Sequence, residues 1–247
     1  MQTSLKRRAA QVLLAGLGLF TAGTATAATS FNSSAALGYS IESIVNLSNP
    51  GDLSGLEIVG YFRQIDAPVN PGDEYSQVQI NGIGSVIANN PELSTGGDFN
   101  YTFAASGTLA NGTLDAHHLG WYGLEFRNNG SDSYAINLRL DYLLSAAAGS
   151  ATDSSSVSID FFSGDGLLQG YDRADTAFNA LTVAQGGTSG VFSFELAAGQ
   201  TNGLYADVRM DNHLEASPVP LPAAVWSFLA GVIGVLGLKK RRNGQPA

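Results

Sequence analysis

The stretch "DAHHLGW", Asp115 to Trp121, holds two of the three histidines in the chain beside a carboxylate. Asp115, His117 and His118 are residue types that bind a transition-metal ion when a further side chain joins them. The spacing argues against a shared ion, because consecutive side chains on a strand point to opposite faces. The plain expectation is a solvated pair of loop histidines, with His213 as a surface residue. No serine stands in a G-x-S-x-G turn, and the absence of Cys removes thiol catalysis.

Carboxylates are the other candidate chemistry. The run "DFFSGDGLLQGYDRAD" places Asp160, Asp165, Asp172 and Asp175 in a glycine-bearing region, and calcium is the hard cation such oxygens suit. The spacing matches neither an EF-hand nor a Gly-Gly-x-Gly-x-Asp repeat. These groups therefore read first as solvating charge, with calcium on Asp165 and Asp172 as the alternative and no other cofactor expected. Glycoside hydrolysis needs two carboxyls at a fixed separation across a cleft, which abundance alone does not supply, so no catalytic residue is assigned and the chain is not expected to be an enzyme. Trp121 and Tyr122 could form an aromatic platform for carbohydrate. Adjacent strand positions would turn one ring outward and one into the core.

The elements that must carry these residues read as strands. Alternation of period two, broken by Gly, Asn, Asp and Ser clusters, runs from residue 29 to 217. Its clearest case is Tyr134 to Leu144, where Tyr134, Ile136, Leu138, Leu140, Tyr142 and Leu144 share one face. Similar patterns cover Leu37–Leu47, Leu56–Ile65, Tyr75–Ile80, Phe99–Leu109, Trp121–Arg127, Val157–Phe162, Val191–Leu196 and Leu204–Met210, about nine strands in all. "RNNGSDS", from Arg127, reads as a hairpin turn with positive φ at Asn129-Gly130. Tyr171 to Ala184 reads as a short helix or a long loop, and "SAAAGSATDSSS", from Ser145, as a loop. Many short strands with polar outer faces predict an all-β, antiparallel sandwich of jelly-roll or immunoglobulin-like type.

Charge is distributed unevenly along the 247 residues. All 21 acidic residues lie between Glu42 and Glu215, with 5 arginines among them, a net of −16, whereas the two ends carry +7. A body at −16 repels phosphates, so a nucleic-acid partner is not expected. Lys6, Arg7 and Arg8, an apolar stretch from Ala9 to Phe20 and the exit Ala25-Thr26-Ala27 have the anatomy of a secretory signal peptide cleaved after Ala27. With no Cys there is neither a lipobox thiol nor a disulfide, so stability must come from packing.

Leu221 to Leu238 are 18 residues without a charge, a minimal span for one transmembrane helix. Ala223, Ser227, Ala230, Gly231, Gly234 and Gly237 gather toward one side of that helix, with Trp226 also inside the span. Such a stripe allows close helix approach. Lys239, Lys240, Arg241 and Arg242 follow it and would stay cytoplasmic. The expected organisation is a signal segment at 1–27, a β-sandwich ectodomain at 28–217, a sorting segment at 218–243 and a tail at 244–247.

The order Val219-Pro220-Leu221-Pro222-Ala223, apolar helix, basic block resembles the PEP-CTERM sorting signal in its VPLPA form, known from exported proteins of Gram-negative bacteria. The likeness covers about Pro218 to Asn243, and Leu221 stands where a Glu more commonly separates the prolines. The resemblance implies recognition by an exosortase, a multi-spanning membrane cysteine protease, cleavage near Val219 to Pro222, and delivery of an inner-membrane-anchored precursor to the cell surface or extracellular matrix. Prolines suit that site physically, since they keep the segment outside the membrane extended. A Gram-positive sortase signal shares the plan but fails at the residues, because Leu221-Pro222 is followed by Ala-Ala-Val. The implied role is structural or adhesive, with extracellular polysaccharide as a partner. A carbohydrate-binding module on the same anchor is the alternative, and a secreted hydrolase comes after it.

Overall fold

Alternation of inward apolar and outward polar side chains organises almost the whole described chain. The structure is a computed structural model and describes residues 28–64, 77–88, 99–176, 181–217 and 232. The signal segment with Ala25 and Ala27, the Val219–Ala223 motif, the span other than Val232, and the basic block lie outside the described residues. Among the described residues no helix is long and apolar enough to cross a membrane. Ala28–Ala216 forms one compact unit.

Within it run β1 (Thr29–Asn46), β2 (Leu56–Gln64), β3 (Gln77–Ala88), β4 (Phe99–Asn128), β5 (Tyr134–Ala148), β6 (Ser154–Ser163), β7 (Gln169–Asp175), β8 (Thr182–Leu196) and β9 (Thr201–Ala216). Every pairing is antiparallel, as the polar outer faces predict. The order is β7-β6-β9-β4-β1-β5-β8, with β2 and β3 lying along the other edge of β4. Two expectations are corrected here. Within Tyr171 to Ala184, expected as a short helix or a long loop, Tyr171–Asp175 end β7 and Thr182–Ala184 begin β8, while residues 177–180 lie outside the described residues. Phe99–Leu109 and Trp121–Arg127 are not separate strands, because both belong to the 30-residue β4.

The joint within β4 explains the architecture. Tyr101, Phe103, Ala105 and Leu109 are buried up to that point, and Leu114, Ala116, His118, Tyr122, Leu124 and Phe126 beyond it, so the inward parity changes from odd to even. The register with β3 steps from Ile83↔Asn111 to Gly84↔Leu109 and leaves Ala110 as the extra residue of a bulge. Gly82 and Gly112 face each other there with φ of 142° and 90°. A Cβ on Gly112 would lie 1.8 Å from the Asn81 carbonyl oxygen, and one on Gly82 would lie 2.0 Å from that of Asn111. Only two glycines let the backbones approach so closely.

At this corner β4 doubles back. Tyr101 and Gly123 are 22 positions apart, about 75 Å along an extended strand. Even so, the Tyr101 hydroxyl donates to the Gly123 carbonyl at 3.2 Å, and the Tyr101 and Tyr122 rings are 5.4 Å apart. The first half of β4 pairs with β1 and the second half with β9. The strands beyond them therefore face each other across the core. Tyr142 of β5 packs on Phe161 of β6 and donates to Asp172 of β7 at 3.0 Å, and the edge strands β7 and β8 lie in contact, so the free edges approach. The expected pair of sheets is thus one hydrogen-bonded sheet folded on itself and nearly closed.

A third correction concerns "RNNGSDS". The strands on either side of it, β4 and β5, are not paired with each other, and Gly130 is not among the positive-φ glycines. The segment crosses from one side of the core to the other. It is held by the Asn128 side chain, which accepts from the Gly130 amide at 3.0 Å and donates to the Asp132 carbonyl at 2.6 Å.

Replacing Gly112 by Ala adds both a backbone collision and an unfavourable φ, so unfolding in urea should show a loss of about 3 kcal/mol or more. Gly199→Ala, whose site has φ 73° and nothing within 4 Å, should cost only about 1 kcal/mol. Equal losses at the two positions would reject the corner as the point of constraint.

Candidate functional site

The outer face of β3, the second half of β4, β9, β6 and β7 gathers the titratable groups that the sequence scatters. Register places Asp115 opposite His213 and His117 opposite Asp211 on neighbouring strands. His213 Nδ1 lies 2.6 Å from Asp115 Oδ1, and His117 Nδ1 contacts Asp211 Oδ1. An ionised carboxylate only accepts, so each Nδ1 carries the hydrogen and each imidazole is oriented with Nε2 left for a further partner. The bond from His117 is the largest cause holding the Asp211 carboxyl below the usual range. Gln77, Gln79, Ser154, Ser156 and the Arg173–Asp175 ion pair join these two couples around a polar cleft of about 350 Å³.

This cleft differs from the sequence expectation. His117 is not in a loop; it lies within β4, and His213 is not an isolated surface residue. Asp211 and His213 gave no signal, because their partners are 94 and 98 positions away and only register joins them. Ser154 is in register with His213, so Ser154, His213 and Asp115 follow one another across three strands. The row has the residue types of acyl transfer. Its strands, however, spend their backbone amides on ladder bonds. Among the described residues no group of three or more His, Asp or Glu side chains is placed to hold one metal ion.

His118 sits on the opposite side of β4, as alternation requires. It is fully buried, edge-on to Phe103 at 6.4 Å, and neither ring nitrogen has a hydrogen-bond partner. Burial, with a smaller contribution from His117, lowers its pKa to about 4. The hydroxyls of Tyr39 and Tyr122 are likewise buried without partners, and burial raises both phenols well above their ordinary value.

Asp165 and Asp172 are not brought together. Asp165 closes the β6–β7 turn, accepting from Ser163 Oγ at 2.6 Å, the Leu167 amide at 3.0 Å and Asn202 Nδ2 at 3.0 Å. Those bonds, Ser163 first, hold its carboxyl below the ordinary value. Asp172 lies farther along β7, opposite Ile159, where it accepts from Tyr142 and from the Arg173 amide.

The other half of the same outer face is aromatic. Trp121 is on the outer face and part-buried, whereas Tyr122 is in the core. One row across β2, β4, β9 and β6 reads Tyr61, Gly123, Tyr205, Phe162, and the next, across β4, β9, β6 and β7, reads Trp121, Asp207, Asp160, Tyr171. The Tyr205 ring lies over Gly123, where a Cβ would come within 2.6 Å of it. It stacks on Phe162 at 5.7 Å, and its hydroxyl donates to Glu125 at 2.8 Å. Burial first, and then the facing Asp160, raise the Asp207 carboxyl.

No protein-family model matches the chain, and searches of curated proteins and of solved structures find no significant match.

The buried neutral imidazole sets a pH response. Unfolded His118 takes up a proton near pH 6.5, whereas the folded one resists until about pH 4. Its contribution to stability is therefore complete above pH 6.5 and is lost as pH falls toward 4, by roughly 3 kcal/mol. Urea midpoints of His118→Leu should fall less steeply than those of the parent chain over that window. Parallel slopes would show that His118 is not the group responsible.

Proposed function

We propose that the chain is an exported protein of the bacterial envelope or extracellular matrix, with a structural and adhesive role and a sandwich-like ectodomain. The observation that carries this reading is the contrast between a body at −16 and apolar, cationic segments on either side of it. That arrangement suits export through a signal segment ending at Ala27 and retention of Lys239, Lys240, Arg241 and Arg242 inside the cell. The Val219–Ala223 motif supplies the point at which an exosortase releases the body. A folded, Cys-free sheet that relies on packing agrees with residence outside the cytoplasm but needs no particular redox compartment. The role proposed is non-catalytic.

A second reading, a carbohydrate-binding module on the same anchor, is favoured by the exposed aromatic rows beside Trp121. Pyranose rings present C–H faces that pack on flat side chains, and their hydroxyls need acceptors such as Asp160 and Asp207.

In a host that encodes an exosortase, surface protein should end near Val219 to Pro222 by mass spectrometry, and deleting the exosortase should leave the segment through Arg242 attached. Protease shaving of intact cells should cut the body. An intact tail in both strains rejects processing, and a protected body rejects export.

A further inference from the structure

We propose that the aromatic rows bind an uncharged polysaccharide, its sugar rings seated on Tyr61, Tyr205, Phe162 and Tyr171; this rests on the carbohydrate-binding reading and specifies the class of glycan. Large apolar rings on an outer sheet face are normally scattered. Here Tyr61, Phe162 and Tyr171 are 46%, 36% and 58% exposed and fall in two adjacent rows on one face.

The rows have the form of a platform. From β2 to β6 is three strand spacings, about 14 Å, and the two rows are about 7 Å apart, room for several consecutive sugar rings. The surface is flat because position 123 carries no side chain, which lets Tyr205 lie across β4 with its hydroxyl anchored on Glu125. Phe162 stacks against the Tyr205 ring, with only 26° between the two, and holds it in place. A platform fixed before binding loses little entropy on binding.

The flanking polar groups select the ligand. Asp160 and Asp207 stand directly opposite each other between Trp121 and Tyr171, a like-charge pairing that costs stability in a sheet. Such a pair supplies acceptors for hydroxyl donors and repels an anionic chain. Arg127, Arg139 and Arg173 are each taken by a carboxylate. Arg209, two positions along β9, offsets part of the charge on Asp207, but the body's net of −16 still opposes an anionic chain. At physiological salt, screening over about 8 Å does not shield a ligand in contact with these groups. The platform therefore fits a neutral glucan or galactomannan and disfavours uronic-acid polymers.

Affinity electrophoresis of the full chain tests this, using native gels containing hydroxyethylcellulose, galactomannan or alginate. The parent chain should be retarded by at least one neutral polymer and not by alginate. Tyr61→Ala and Tyr171→Ala should each weaken the retardation about fivefold, and Trp121→Ala also, whereas Val191→Ala, on the exposed side of β8, should not. Thermal melts establish that each variant is folded, and for a variant that is not, replacement by Phe, which keeps the ring, should restore retardation. Failure of retardation by both neutral polymers overturns the proposal, as does a dimer broken by Tyr171→Ala without any glycan effect. Retardation by alginate alone overturns the neutral class but leaves carbohydrate binding standing. Neutral binding that ignores Tyr61 and Tyr171 overturns the platform and leaves the broader reading intact.

Discussion

The contact on which the rest of the structure depends is the approach of two backbones at Gly82 and Gly112. Any side chain on Gly112 would occupy the space of the Asn81 carbonyl, so β3 and β4 turn there together and keep their mutual ladder. The bulge at Ala110 exchanges inward and outward positions along β4. Without that exchange the strand would present Tyr101 and Tyr122 to opposite sides. With it, both rings enter one core, beside Tyr39 and Phe103. The corner thus converts one long sheet into two facing halves.

The same phase change decides which groups reach solvent. Beyond the bulge the even positions of β4 face the core, sending His118 inward and leaving Asp115, His117 and Trp121 outside. Register with β9 then completes the two histidine–carboxylate couples and sets Trp121 beside Asp207. The interior retains a polar cost: Ser33, Ser155 and Asn212 bond one another across the core, but the Asn212 Nδ2 amide, the His118 ring and the Tyr39 and Tyr122 phenols find no partner among the described residues. Unpaired buried groups of this kind each cost stability, and the apolar core from Phe31 to Leu214 must offset them.

Strand content was legible where alternation was uninterrupted, as in Tyr134 to Leu144 or Leu204 to Met210. The outward and inward placement of Trp121 and Tyr122 followed from the same rule. What period alone could not convey was continuity through a phase change. Asn111 and Gly112 look like a loop, and the bulge breaks the pattern just where β4 passes from one half of the sheet to the other. β7 escaped notice because Gly170 and its charged neighbours lack the apolar signature of a strand, although its edge position makes that composition tolerable. The cleft and the aromatic rows depend on cross-strand register, which is a tertiary property. A two-sheet sandwich was the natural inference from strand count, and only the ladder at the corner distinguishes it from a single folded sheet.

The place of β9 between β4 and β6 has a consequence for how the molecule is made. A chain that emerges amino end first presents the second half of β4 about eighty residues before its neighbour, Thr201–Ala216, has been synthesised. During that interval one long edge has no permanent partner, and β6 and β7 have no ladder bonds to the rest of the sheet. Native closure must wait for the last strand. Such non-local pairing slows folding and leaves sticky intermediates, so a holding chaperone or prompt passage through a translocon would be of most use to this chain while residues 112 to 200 are out and β9 is not.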